Sequence, residues 1–205
     1  MAPEIFKVYP ENPHKRVINK AVQILKNDGV VIYPTDTVYG LGAGILSKKG
    51  IDRIYRIKKI SNHKLLSFIV PDFKSIAQYA HISNHAYKIM KRCLPGPYTF
   101  ILPATNHVPK KLFQKRKTVG IRMPDNNLCK ELVNALQSPI ISASVPAGPD
   151  EILNNPEEIV KRFGNEIDLV MDGGLLVSEP STIVDLTGMD VEIIRKGSGD
   201  ISRVF

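Results

Sequence analysis

The chain has no tryptophan and only two cysteines among its 205 residues. Cys93 and Cys129 are far apart, and neither belongs to a Cys-x-x-Cys pair. That leaves no zinc-type cluster and no disulfide framework. Both cysteines fall in helix-like segments and are expected to be reduced packing residues. No apolar run is long enough to cross a membrane. Met1 to Lys15 mixes prolines with charges and has no apolar core, so it does not read as a secretory signal, and a cytoplasmic protein is expected. No internal repeat, low-complexity stretch or linker interrupts the chain, and a single domain over residues 1–205 is the simplest organisation. No Ser-His-Asp or Cys-His signature of nucleophilic catalysis is evident. The sequence also lacks an RNP-like aromatic motif, which disfavours RNA recognition by base stacking.

What the chain has in excess is positive charge. Lys and Arg number 28 against 20 Asp and Glu, for a net charge of +8 and a pI near 9.4. This balance suits a polyanionic partner, ATP or RNA or both; the plainer alternative is a basic surface with no particular partner. Hydrophobic content of 43% and charged content of 23% are ordinary for a globular protein. The charge gathers in two places. Lys48, Lys49, Arg53, Arg56, Lys58, Lys59, His63 and Lys64 lie on and after an amphipathic segment whose Ile51, Ile54 and Ile57 share the other side. Lys110, Lys111, Lys115, Arg116 and Lys117 form the second cluster. Either binds phosphates or is a solvated face.

Hydrophobic periodicity alternates between strand and helix. Strands are expected at Ile5–Tyr9, Val30–Tyr33, Leu65–Val70, Tyr98–Leu102, Thr118–Met123, Pro139–Ser144, Ile167–Met171, Ser181–Thr187 and Val191–Gly197. Helices are expected around Val17–Leu25, Lys48–Lys59, Asp72–Ala80, Ser83–Cys93 and Asn127–Leu136. Asp72 and Ser83 are placed as N-caps. Asn155-Pro156-Glu157-Glu158 is a strong helix start, with a cap, proline at N1 and glutamate at N3. The result is an α/β protein with a twisted, mixed sheet, flanking helices and a concave basic opening.

The stretch from Gly29 to Gly44 stands out. A buried strand, Val30 to Tyr33, stops at Pro34. Thr35, Asp36, Thr37 and Tyr39 follow, then glycines at alternate positions, Gly40, Gly42 and Gly44. Hydroxyls and glycines at a strand end suit a ligand; a turn between two strands is the alternative. Arg122, near the end of another strand, is either a bidentate anchor for a carboxylate or phosphate or a member of a surface ion pair.

Pro34-Thr35-Asp36-Thr37-Val38-Tyr39-Gly40-Leu41-Gly42 resembles the first signature of the YrdC/YciO family, best known for threonylcarbamoyl-AMP synthases. Further segments resemble the family in the same order: Pro95-Gly96-Pro97 before a strand, Val119-Gly120-Ile121-Arg122-Met123-Pro124, Ser181-Thr182-Ile183-Val184-Asp185, and Ile193-Ile194-Arg195-Lys196-Gly197. The resemblance implies the family fold and a reaction of L-threonine, bicarbonate or CO2, and ATP, yielding threonylcarbamoyl-AMP and pyrophosphate for threonylcarbamoyladenosine of tRNA. It implies that Thr35, Arg122, Ser142 and Ser181 hold threonine. Lys58, Thr118, Ser144 and Arg195 would hold ATP, with Lys58 spreading phosphate charge. No protein nucleophile and no protein metal site is implied; Mg2+ is expected with the triphosphate.

The chain also departs from the synthase pattern. Ile60 stands where an arginine follows the lysine, Ile69 where a histidine is common, and Pro146 where an asparagine completes Ser-x-Asn. These departures resemble the YciO branch and imply weak or altered activity. Lys59 and Lys64 are the available substitutes for the missing arginine. The alternative is a double-stranded RNA or tRNA-binding protein of the same fold without synthase activity, gripping phosphates through the basic clusters.

Overall fold

The computed structural model describes residues 2–61, 64–109, 112, 117–148, 151–177 and 179–205. The first half holds β1 (Glu4–Lys7), α1 (Lys15–Lys26), β2 (Val30–Tyr33), β3 (Gly40–Gly44), α2 (Lys48–Lys58), β4 (Ser67–Ile69), α3 (Phe73–Tyr79), α4 (Asn84–Cys93) and β5 (Tyr98–Pro103). The second holds β6 (Thr118–Arg122), α5 (Asn127–Leu136), β7 (Ile140–Ser144), β8 (Pro146–Gly148), β9 (Glu151–Ile152), α6 (Pro156–Phe163), β10 (Leu169–Asp172), β11 (Thr182–Asp185) and β12 (Glu192–Arg195). Ten strands form one mixed sheet in the order β1-β10-β2-β3-β7-β4-β6-β5-β11-β12. β8 and β9 form a separate two-stranded hairpin.

Helix starts follow local chemistry. The side chains of Asp72, Ser83 and Asn155 each accept a backbone N–H of the first turn that follows, at 2.7, 3.1 and 2.9 Å. Pro156 opens α6 at the position where a missing N–H costs nothing.

The two faces of the sheet differ in kind. Leu41, Ala43, Ile141, Phe68, Ile121, Phe100 and Val184 share one face by register, and all are buried. Against them pack Ile51, Ile54 and Ile57 of α2, Ile76 of α3, Met90 of α4 and Ile159 of α6, forming the larger core. On the other face, α1 and α5 cover part of the surface. Ala21, Leu25, Leu128 and Leu132 pack there on Val31, Tyr33, Ile69 and Ile140. The rest of that face is polar or small: Ser142 and Ser144 of β7, Ser67 of β4, Thr118, Gly120 and Arg122 of β6, and Arg195 at the edge. Cys93 and Cys129 are buried, unbridged thiols.

Gly40, Gly42 and Gly44 lie inside β3, so they are strand residues and do not form a ligand loop. They face the α1–α5 side and clear space there. A Cβ on Gly40 or Gly42 would come within 2.7 Å of the Tyr33 ring, and one on Gly44 within 2.9 Å of the Leu25 carbonyl. Glycine weakens a strand. Here the ring of the neighbouring strand covers the bare backbone. The β8–β9 hairpin, which no alternation in the sequence signals, extends the chain beyond β7.

After β12 the chain doubles back on the start of β11. Gly197 N donates to Thr182 Oγ1 at 3.1 Å, and Ser198 N to Pro180 O at 2.9 Å. A Cβ on Gly197 would lie 2.0 Å from Pro180 O, a backbone atom that cannot rotate away. Gly197→Ala is therefore expected to cost about 1–3 kcal/mol in urea unfolding, the usual range for overpacking. Gly188→Ala, whose new Cβ meets nothing closer than 3.9 Å, serves as the near-neutral control. Equal effects of the two would contradict this packing.

Candidate functional site

The segment after β2 is built on its own hydroxyls. Thr35 Oγ1 donates to Val38 O at 2.7 Å and accepts Thr37 N at 3.1 Å. The two threonine hydroxyls are 3.1 Å apart. This turn presents Asp36 and Thr37 to Arg122. Arg122 Nη2 donates to Asp36 Oδ1 at 2.8 Å and to Thr37 Oγ1 at 3.0 Å. Asp36 Oδ2 accepts Asp125 N at 3.1 Å. β2 and β6 are separated in the sheet by β3, β7 and β4. In a flat sheet that would be about 19 Å, four spacings of about 4.8 Å. Asp36 lies three residues beyond β2, and this length of chain together with the long Arg122 side chain bridges that span.

The Arg122–Asp36 pair is removed from water, with side chains 10% and 8% exposed. Arg122 Nε is buried and has no hydrogen-bond partner among the described residues. A buried donor left unsatisfied costs about 1–3 kcal/mol, more when charged. The guanidinium is thus paired through Nη2, while Nε is sealed from solvent without a partner among the described residues.

Lys58 and Arg195 lie on the same opening. Lys58 ends α2, where the helix dipole favours a cation. Its Nζ donates to Ser144 O at 2.8 Å and approaches Ser144 Oγ at 3.5 Å. Burial, then the charges of Arg195 and Lys64, lower its pKa to about 8. Arg195 lies on the edge strand, but its guanidinium turns inward and donates to Ser181 O at 3.2 and 2.8 Å. Its pKa is also lowered, by burial and by Arg122. Ser181 Oγ is 2.8 Å from Thr99 Oγ1, both groups buried. Ser142 Oγ accepts the hydroxyl of Tyr33 at 2.7 Å. Three cations therefore sense one another across a face lined with hydroxyls.

The fold thus gathers Lys58, Arg122, Ser142, Ser144, Ser181 and Arg195. Thr35 sits beside them, but its hydroxyl is committed to its own turn. Thr118 shares the face and lines a small neighbouring cavity with Tyr55, Leu65, Phe68 and Val108, without a hydrogen bond to the others. Ile60 is half-buried against the larger core. Ile69 is buried in the α1–α5 core. Pro146 pairs with Ile152 in the hairpin. Lys59 is the left-handed C-cap of α2 (φ 50°) and is exposed, whereas Lys64 is near enough for its charge to act on Lys58. Of the second basic cluster only Lys117 is among the described residues; His63 of the first lies outside them as well. Asp36, Thr37, Tyr33 and Thr99 were not singled out as site residues by the sequence. Asp36 and Thr37 lie within the signature stretch, while Tyr33 and Thr99 join the site only through pairings across the sheet.

Among the described residues no group of three or more His, Cys, Asp or Glu could hold a metal ion. No described helix is long and apolar enough to cross a membrane.

Residues 23–197 match the family model Sua5/YciO/YrdC, described as "Telomere recombination". The uncharacterized protein YciO of Escherichia coli is 38% identical over 200 residues, 97% of each chain. Its crystal structure superposes with a TM-score of 0.94 at 37% identity, covering 99% of this chain and 100% of that one. A threonylcarbamoyl-AMP synthase of Chromobacterium violaceum is 31% identical over 179 residues, 86% of this chain and 92% of the other. The crystal structure of Pyrococcus abyssi Sua5 complexed with L-threonine matches with a TM-score of 0.87 at 28% identity, over 94% of this chain and 57% of that one. The mixed sheet and the ordered motifs are thus those of a known group, and the chain belongs to the Sua5/YciO/YrdC family.

Proposed function

We propose that this protein binds L-threonine and Mg–ATP on the polar face and makes threonylcarbamoyl-AMP, slowly. The observation that carries the reading is the convergence of Lys58, Arg122 and Arg195, with one carboxylate among them already taken up by Arg122. A relative of the same fold is described in complex with L-threonine, and another as a threonylcarbamoyl-AMP synthase. In this reading the threonine carboxylate completes Arg122, beside Ser181 and Ser142. The threonine amine and bicarbonate form a carbamate with loss of water. A carbamate oxygen then attacks the α-phosphorus of ATP; the bond from that phosphorus to the bridging oxygen breaks, and pyrophosphate leaves. Lys58 and Arg195 offset the charge that develops on the phosphate oxygens. Thr118 and Ser144 lie on the nucleotide side.

The slowness follows from Ile60. A hydrocarbon packed on the core supplies no charge where the synthase pattern has an arginine, and Lys64 offers a point charge without a guanidinium fork. Exposed Lys48, Lys49, Arg56 and Lys59 on and after α2 give the RNA-binding reading its footing.

The test is pyrophosphate release from Mg–ATP and bicarbonate, with and without L-threonine. Threonine-dependent release supports the synthase reading; its absence, with salt-sensitive RNA binding retained, supports the alternative. Arg122→Ala and Lys58→Ala are each expected to lower the rate at least tenfold, about 1.4 kcal/mol. Unchanged kinetics in both would refute the pocket assignment.

Lys58 also makes ATP binding depend on pH. Its pKa in the empty site lies below that of a free lysine, and a bound triphosphate favours the charged form and raises it. Affinity for Mg–ATP should be full below pH 8 and fall as pH rises past about 8, by at most about tenfold per unit. Lys58→Arg, charged throughout, should flatten the profile between pH 7 and 9 in calorimetric titrations. A flat wild-type profile would contradict the role of Lys58.

A further inference from the structure

Tyr33 is the last residue of β2 and is fully buried. Its ring lies across Gly40 and Gly42 of the next strand, where any larger residue would collide with it. This carries the hydroxyl past β3 to Ser142 on β7, 2.7 Å from Oγ. Among the described residues, Ser142 Oγ is the one hydrogen-bond partner of that hydroxyl, and Ser142 Oγ has no other.

A hydrogen bond between two hydroxyls has a direction, and here burial sets it. If Ser142 donated to Tyr33, the tyrosine proton would be left without an acceptor inside the protein. That costs about tenfold or more in an equilibrium, as expected for a buried unsatisfied donor. If Tyr33 donates, its proton is satisfied and the Ser142 hydroxyl keeps its own proton to donate elsewhere. Ser67, directly opposite Ser142 on β4, does not accept it. Arg122 is close enough for its charge to act on Tyr33. Ser142 and Arg122 share one sheet face, two strands and two residues apart, a gap that the arginine side chain and a bound threonine together can span.

We propose that Tyr33 is a positioning residue: by donating to Ser142 it commits that serine to donate in turn to an oxygen of the ligand, selecting an acceptor at this point of the site. The inference rests on the threonine-binding reading above. It also accounts for Gly40 and Gly42 as the space through which the tyrosine reaches the serine.

The test is a double-mutant cycle read by calorimetry. L-Threonine and Mg–ATP are titrated separately into wild type, Tyr33→Phe, Ser142→Ala and the double variant. Tyr33→Phe keeps the ring over the glycines and removes one oxygen. It should weaken L-threonine binding by about three- to tenfold, the worth of one hydrogen bond, and leave Mg–ATP binding unchanged, which also shows that the fold is intact. In the Ser142→Ala background the same change should cost less than about twofold, since the serine through which it acts is gone. Equal losses in both backgrounds would show a packing role and overturn the proposal. Wild-type affinity in Tyr33→Phe would overturn it as well. If wild type binds no L-threonine, the functional reading fails and the proposal with it.

Discussion

Arg122 is a guanidinium taken out of water on a sheet face, and much of the polar half of the protein is organised around holding it. Burying a charge is costly unless it is paired and hydrogen-bonded. The pairing comes from Asp36, and the turn that carries Asp36 is fixed by Thr35 and closed by Thr37. Asp36 also accepts Asp125 N, so the start of the α5 region is tied to the same carboxylate. Satisfying one side of the guanidinium leaves Nε unpaired and keeps the site short of negative charge. Lys58 and Arg195 feel that shortage, and the pKa of each is lowered by burial and by a neighbouring cation. An anion bound among these cations would offset their mutual repulsion, and that is the physical basis of the proposed site.

The sheet makes this arrangement possible by having unlike faces. The face packed by α2, α3, α4 and α6 is mostly apolar and carries the larger core. The other is apolar only under α1 and α5. Serines, threonines and arginines at alternate strand positions there would be errors in a two-sided core, and their placement in register across β7, β4 and β6 marks the open portion as functional. Ile69 shows where the border lies, belonging to the α1–α5 core and standing in register with Arg122.

What sequence could read was local. Caps at Asp72, Ser83 and Asn155 and the β-branched runs depend on a few neighbouring residues, and those elements form where expected. Arg122, Ser181 and Arg195 stand in the ordered motifs, and the fold brings them near Ser142 and Ser144 on one sheet face, with Lys58 reaching Ser144 from the end of α2. β3 was not legible, because three glycines in five positions argue against a strand; the strand forms since the Tyr33 ring covers it. The partnerships of Asp36 with Arg122 and of Tyr33 with Ser142 join residues 86 and 109 positions apart, which no local pattern encodes. Thr35 illustrates the reverse: its motif marks it for the ligand, while its hydroxyl serves the turn.

The claim that Arg122 awaits a carboxylate is tested most directly by calorimetric titration of the wild-type protein with L-threonine and with L-threonine amide, which differs in lacking that charge. The account predicts that L-threonine binds and that the amide binds at least about tenfold more weakly, because it cannot complete a charge-assisted pair with the guanidinium. Equal binding of the two, or tighter binding of the amide, would show that Arg122 is held by Asp36 for structure alone.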